Sequence, residues 1–344
     1  MANVINVTSL QRAAEKYQKD FKTLPYAILM PKMAKLGLRM IKVENKDILI
    51  EEQRKGGLTK PYAAGVEHTA SASEIKKLAE KSLTVQPGYC ALKDHIMNYK
   101  EKQVLYDPSA DTVNNKTKKH PQEKLIIMNK IKTVGEDIID ALFSAERDIA
   151  DESPQGLFDG YDTILDAAIA AGELSAALGN YIDSGALNAP TGETDYVAYT
   201  RLVDWLRSAN TRFSQQSVLR LPIGIYHNCS DALQNKLKYK DVVQSVFVEK
   251  LRQDAVMPNL DVITDDALGT GTRISLMEKG LLDFGMNTFG DERFVEVRNP
   301  YEDPNMAQFW LQFMAGCRVN SWHSKVLMIN QGTPVANALS GDYS

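Results

Sequence analysis

The residues of this chain that could do chemistry are few and poorly grouped. His227, Cys229 and Ser230 stand together in YHNCSDA, the residue types of a Cys/His nucleophile site. Nothing beside Cys229 would lower a thiol pKa, and a strand over Leu221 to Tyr226 followed by a short helix capped by Ser230 accounts for the same letters. Cys90 and His95 are spaced Cys-x4-His with no second pair to close a tetrahedral metal site. Asp261, Asp265 and Asp266 lack the spaced ligand set of a calcium loop and read as a solvated turn. Gly269-Thr-Gly-Thr-Arg273 has neither the spacing nor the lysine of a phosphate loop and reads as a β-turn. Trp205, Trp310 and Trp322 sit among apolar residues and read as core. The chemistry therefore points away from an enzyme, with no cofactor and no metal, and towards a protein that binds or self-associates.

Charge is more informative. The 344 residues carry 40 Lys+Arg and 44 Asp+Glu. Residues 1–132 hold 24 of the cations and 14 of the anions, a balance of +10, and the remainder holds 16 and 30, a balance of −14. Three readings stay open: pairing within one molecule, docking of the basic half on the acidic half of a neighbouring copy, or nucleic-acid binding. The cations of the least patterned stretch, Arg54, Lys55, Lys60, Lys116, Lys118 and Lys119, are the candidate subunit contacts. Three cysteines, widely spaced and without CxxC, predict reduced thiols. No apolar run approaches membrane-spanning length, and the N-terminus MANVINVTSLQRAAEKY lacks a secretory pattern.

The element that must organise the rest is Leu125 to Ala150. Ile127, Ile131, Val134, Ile138, Leu142, Ala145 and Ile149 recur at steps of three and four, one stripe of a helix roughly 40 Å long, weakened only at Gly135. Before it, helices are predicted over Ser9 to Lys19 and Tyr26 to Leu36, broken at Pro25 and Pro31, then short strands about an Asn45-Lys46 turn. Between Arg54 and Pro121 the pattern fails, apart from a helix over Ser73 to Ser82 capped by Ser73. A stretch that long without structure projects towards a partner. After the spine come helices over 193–209 and Asp241 to Arg252, the latter on Val242, Val243, Val246 and Phe247. From Asn259 onward NLDVIT, TRISLME, LLDFGMN, RFVEVRN, FWLQFMAGCRV and KVLMIN read as strands. The fold class is α+β.

The order of the long helix, GLFDGYDTIL with its AAGE and GN stretch, TRLVDWLRSA, LPIGIYHNCSDAL, PNLDVITDDALGTGTRISLMEKGLLDFGMN and the closing RFVEVRNPYEDPNMAQFWLQFMAGCRVNSWHSKVLMIN resembles the major capsid proteins of tailed bacteriophages. Their fold is the Hong Kong 97-like fold, and the likeness is to those of Bacteroidetes-associated phages in particular. It covers residues 121–331. It implies an N-terminal arm over 1–55, an extended loop over 56–120, a peripheral domain over 121–190 with spine helix 125–150, an axial domain over 191–291, return strands over 292–333 and a tail over 334–344. It also implies self-assembly into pentamers and hexamers around double-stranded DNA held without sequence-specific contacts, with portal and scaffold or decoration proteins as further partners. The rival expectations are an encapsulin-like compartment, and an enzyme or DNA-binding protein using the basic half.

Overall fold

The computed structural model describes residues 7–53, 77–95, 122–209, 213, 216–238, 242–287, 295–300 and 306–334. The chain opens with helices α1 (Val7–Lys16) and α2 (Gln18–Lys35). Pro25 and Pro31 lie inside α2 instead of breaking it. Each costs about 3 kcal/mol in a helix interior, but Phe21, Pro25, Leu29 and Met33 recur every fourth residue and are all buried, so packing of that stripe outweighs the lost backbone bonds. Its partner is the spine helix α3 (Gln122–Ser144). A Cβ on Gly135 would come within 3.2 Å of Ile28 Cγ2. The one weak helix former of the spine thus marks where α2 crosses it.

The spine stripe is buried from Ile127 through Ala145, while Ile149 is 87% exposed because the helix ends at Ser144, six residues before the expected end. There the chain turns extended. Glu146 N–H donates to Gln155 O at 3.0 Å, Gly160 N–H to Ala145 O at 2.8 Å, and the Ser144 hydroxyl meets Gln155 Oε1 at 2.9 Å. These bonds replace the helical ones. Helix α4 (Tyr161–Ala170) follows.

Strands β1 (Arg39–Lys42) and β2 (Lys46–Gln53) form where expected, but not with each other. β2 pairs antiparallel with β3 (Lys77–Thr84). The predicted helix to Ser82 is therefore a strand over its described part, and Ser73 lies outside the described residues. KLAEKSLT is rich in helix formers, but in the strand Leu83 is fully buried, and tertiary packing overrides weak propensity. The next strand, β4 (Gln86–His95), also falls within the unpatterned stretch.

After α5 (Val197–Arg207) the chain forms β5 (Ser217–Arg220), α6 (Ile223–Leu237), α7 (Gln244–Ala255), β6 (Leu260–Ile263), β7 (Ser275–Glu278), β8 (Leu282–Asn287), β9 (Val295–Arg298), β10 (Met306–Val319) and β11 (Leu327–Ile329). Leu221 to Tyr226 is thus not a strand: Pro222, extended at ψ 144, starts α6 directly behind it, and Ser230 lies mid-helix. In α7 the buried residues are Phe247, Leu251 and Ala255, while Val243 and Val246 are exposed.

The long strand β10 carries β4 along one edge, and β9 then β8 along the other, with β1 parallel beyond β8. A second sheet has the order β11-β7-β5-β6. It separates two apolar cores. Met277, Leu327 and Ile329 belong to the first, with α1 to α4 and β8 to β10; Leu276 and Met328, their neighbours in sequence, belong to the second, with α5 to α7. That is the period-2 alternation of a strand buried on both faces.

Candidate assembly surfaces

The β2–β3 ribbon has one covered and one open face. Ile48 and Ile50, opposite Ser82 and Glu80, are 52% and 64% exposed. The other face rests on the body through Leu83, Val85 and Val43. Lys81 completes that contact, its ammonium 4.6 Å from the Trp322 ring and 3.2 Å from Glu173. The approach is so close that a Cβ on Gly285 would meet Leu83 at 2.9 Å, and one on Gly316 the Thr84 carbonyl at 2.5 Å. At Gly316 of β10, where the obstacle is backbone, only glycine fits, and at Gly285 of β8 any side chain would have to displace Leu83.

A buried charge cluster fixes the ribbon's root. Asp283 on β8 is fully buried and accepts from Arg39 Nε at 2.7 Å, Arg39 Nη2 at 2.9 Å and Arg318 Nη2 at 2.7 Å. Arg318 also donates through Nη1 to Asp47 of β2 at 2.9 Å. Arg39's own hydrogen bond to Asp283 raises its guanidinium pKa above the ordinary value. One carboxylate therefore ties the N-terminal segment, the ribbon and the central strands together. Asp265, expected in a solvated turn, is buried, because Lys32 and Lys35 from α2 reach it at 2.6 and 2.9 Å. Burial pushes its carboxyl up, but those two ammonium groups and the Ala267 N–H outweigh it and hold the group below the ordinary carboxylate range.

These pairs decide part of the charge question. Lys32, Lys35, Arg39 and Lys81 of the basic half meet Asp265, Asp283 and Glu173 of the acidic half within one molecule. The candidate contacts Arg54, Lys55, Lys60, Lys116, Lys118 and Lys119 lie outside the described residues. Around the helices of the second core Tyr196, Val197, Ile223, Val243, Val246 and Val256 are also exposed.

The residues singled out for chemistry are dispersed. Burial pushes the Cys229 thiol up to about 12 and raises Cys317 and Cys90 as well, the opposite of what a nucleophilic thiolate needs. All three thiols are free. Cys90 and His95 sit on β4, and among the described residues no group of His, Cys, Asp or Glu could hold a metal ion. Trp205 is core, but Trp310 is only half-buried, stacked on Tyr89 at 6.0 Å and facing Arg298 at 5.5 Å. No helix among the described residues is long and apolar enough to cross a membrane. Sequence reasoning missed Asp283, Arg318, Arg220 and Arg273. The available signal was a charge inside a run otherwise reading as buried strand, as in LLDFGMN and SVLRL.

No protein-family model matches the chain, and no curated protein matches it. Solved structures do. A chain of the satellite phage P4 procapsid that includes the size determination (Sid) protein is 12% identical, with a TM-score of 0.56 over 90% of this chain and 91% of that one. A chain of the cyanophage A-1(L) capsid asymmetric unit is 13% identical, with a TM-score of 0.50 over 87% of this chain and 92% of that one. Over nearly its whole length the chain has the Hong Kong 97-like capsid-protein fold, of class α+β.

Proposed function

We propose that a chain of this fold is the major capsid protein of a tailed double-stranded-DNA phage, building the icosahedral head by self-assembly into pentamers and hexamers. The observation that carries the reading is mutual coverage: the likeness spans 90% of this chain and 91% of the procapsid chain. The exposed apolar faces support it. A ribbon presenting Ile48 and Ile50 has the character of a surface awaiting a neighbour.

The domain division belongs to the same proposal. The chain has an arm over 1–55 and an extended loop over 56–120, of which α1, α2, β1 and β4 pack on the subunit's own body and the rest reaches to neighbours; the peripheral body comprises 121–190 and 292–333, and the axial body 191–291 meets its copies at the symmetry axes. Leu282, Phe284 and Met286 return from that last span to the first core and form the seam between the bodies. Arg54, Lys55, Lys60, Lys116, Lys118 and Lys119 are proposed to meet acidic surfaces of adjacent subunits; portal and scaffold or decoration proteins are further partners, and the virion is the location. The genome is enclosed without sequence-specific contacts. Particles recovered from lysates in which the chain is naturally made test this against the shared-fold rival. Nuclease-protected double-stranded DNA supports a phage head, whereas a protein cargo without DNA means an encapsulin-like compartment.

A further inference from the structure

Between the second sheet and the first core lies a cavity of about 20 Å³, whose lining includes Tyr161, Asp162, Arg220, Arg273 and Ser275. Arg220 and Ser275 are register partners on β5 and β7 and so share that face. Arg220 is 3% exposed; its Nη2 donates to the Leu36 carbonyl at 2.9 Å, while Nε and Nη1 have no hydrogen-bond partner. Among the described residues no carboxylate forms an ion pair with it, whereas Arg273 has Asp166 at 2.7 Å and Asp162 at 4.0 Å. Arg273 Nε is also without a partner. The Tyr161 hydroxyl has the Cys317 thiol beside it. Burial lowers the Arg220 pKa to about 10, so the group is still a cation at neutral pH.

A buried, unpaired cation with unsatisfied donors is costly. What it lacks is an acceptor carrying negative charge. A single water accepts two hydrogen bonds and must then place two hydrogens of its own, whereas a spherical anion accepts from every direction and balances the charge. The space exceeds the roughly 10–15 Å³ that a water-sized sphere needs, and at about 20 Å³ it suits one small ion. We infer that this cavity binds one monatomic anion of the chloride class, held by Arg220 and Arg273, at the seam between the two cores.

The test is the thermal midpoint of the full-length protein in sodium chloride, bromide, sulfate and gluconate at a matched ionic strength of about 0.15 M. Chloride and bromide are expected to raise the midpoint by about 2–4 °C over gluconate, and saturably, as ligand binding to the native state does. Arg220→Met should abolish the chloride-specific rise. The inference is overturned if the midpoints follow general salt exclusion, with sulfate highest and no saturation, which is the behaviour of a cavity holding water alone. It is equally overturned if Arg220→Met keeps the chloride response. Should that variant fail to fold, the anion series on the unaltered protein decides.

Discussion

Replacing Asp283 by Asn removes one charge from the buried ionic cluster at the ribbon's root and keeps its shape. Arg318, itself 3% exposed, would lose the acceptor at 2.7 Å and retain Asp47 at 2.9 Å and Asn320 at 2.9 Å. Breaking a buried pair by neutralising one partner costs about 3–5 kcal/mol. Because Asn keeps an acceptor and Asp47 still balances Arg318, the lower end, about 3 kcal/mol, is expected. Arg39 is the control. Its side chain is 56% exposed, so Arg39→Gln leaves solvent access on that side, as for a surface pair, and should cost about 1 kcal/mol or less. Urea midpoints read by tryptophan fluorescence measure both. If Asp283→Asn lies within about 1 kcal/mol of the unaltered protein, or if Arg39→Gln is equally damaging, the cluster is not what fastens the N-terminal segment and ribbon to the sheet.

Three further outcomes are expected. Leu142→Ala should cost about 2–5 kcal/mol and Ile149→Ala under about 0.5 kcal/mol, since Leu142 is fully buried and Ile149 is not; equal losses in denaturant would place the end of the spine elsewhere. Asp265 has a depressed folded pKa, so its contribution is present above the ordinary carboxylate pKa of about 3.9 and is lost as pH falls through the lower folded value. The stability gap between Asp265→Asn and the unaltered protein should therefore be flat above about pH 5 and close in acid, and a gap that widens below pH 4 contradicts the ion-pair account. Ile48→Lys with Ile50→Lys should leave the melting of the subunit unchanged and prevent closed particles, as seen by light scattering; particles forming at the normal rate would remove the ribbon face from the contact surface.

Which parts of the fold were legible follows from how each residue signals its surroundings. The spine from Ile127 to Ala145 was readable because a single helical period persists through it, and the strands from Leu260 onward because alternation and glycine turns mark them. The end of the spine was not: Ile149 fits the period, and only the pairing of 146–148 with 155–159 takes it out of the helix. KLAEKSLT misled because lysine, alanine and glutamate favour a helix locally, while Leu83 is claimed by the ribbon's root. Pro25 and Pro31 misled in the opposite sense. Of the surfaces proposed for assembly, Ile48 and Ile50 were seen only as strand residues, since alternation does not say which face of a two-stranded ribbon is left uncovered. Asp283 and Arg318 were invisible as a pair because 35 residues separate them in the chain.

The central claim is that this chain builds closed shells, and electron microscopy of the purified full-length protein, beside sedimentation velocity of the same sample, tests it most directly. The account predicts uniform icosahedral particles whose averaged surface shows rings of five and six subunits, with a fast-sedimenting boundary to match. A protein that stays monomeric across salt and concentration, or that forms only filaments or irregular aggregates, would contradict it.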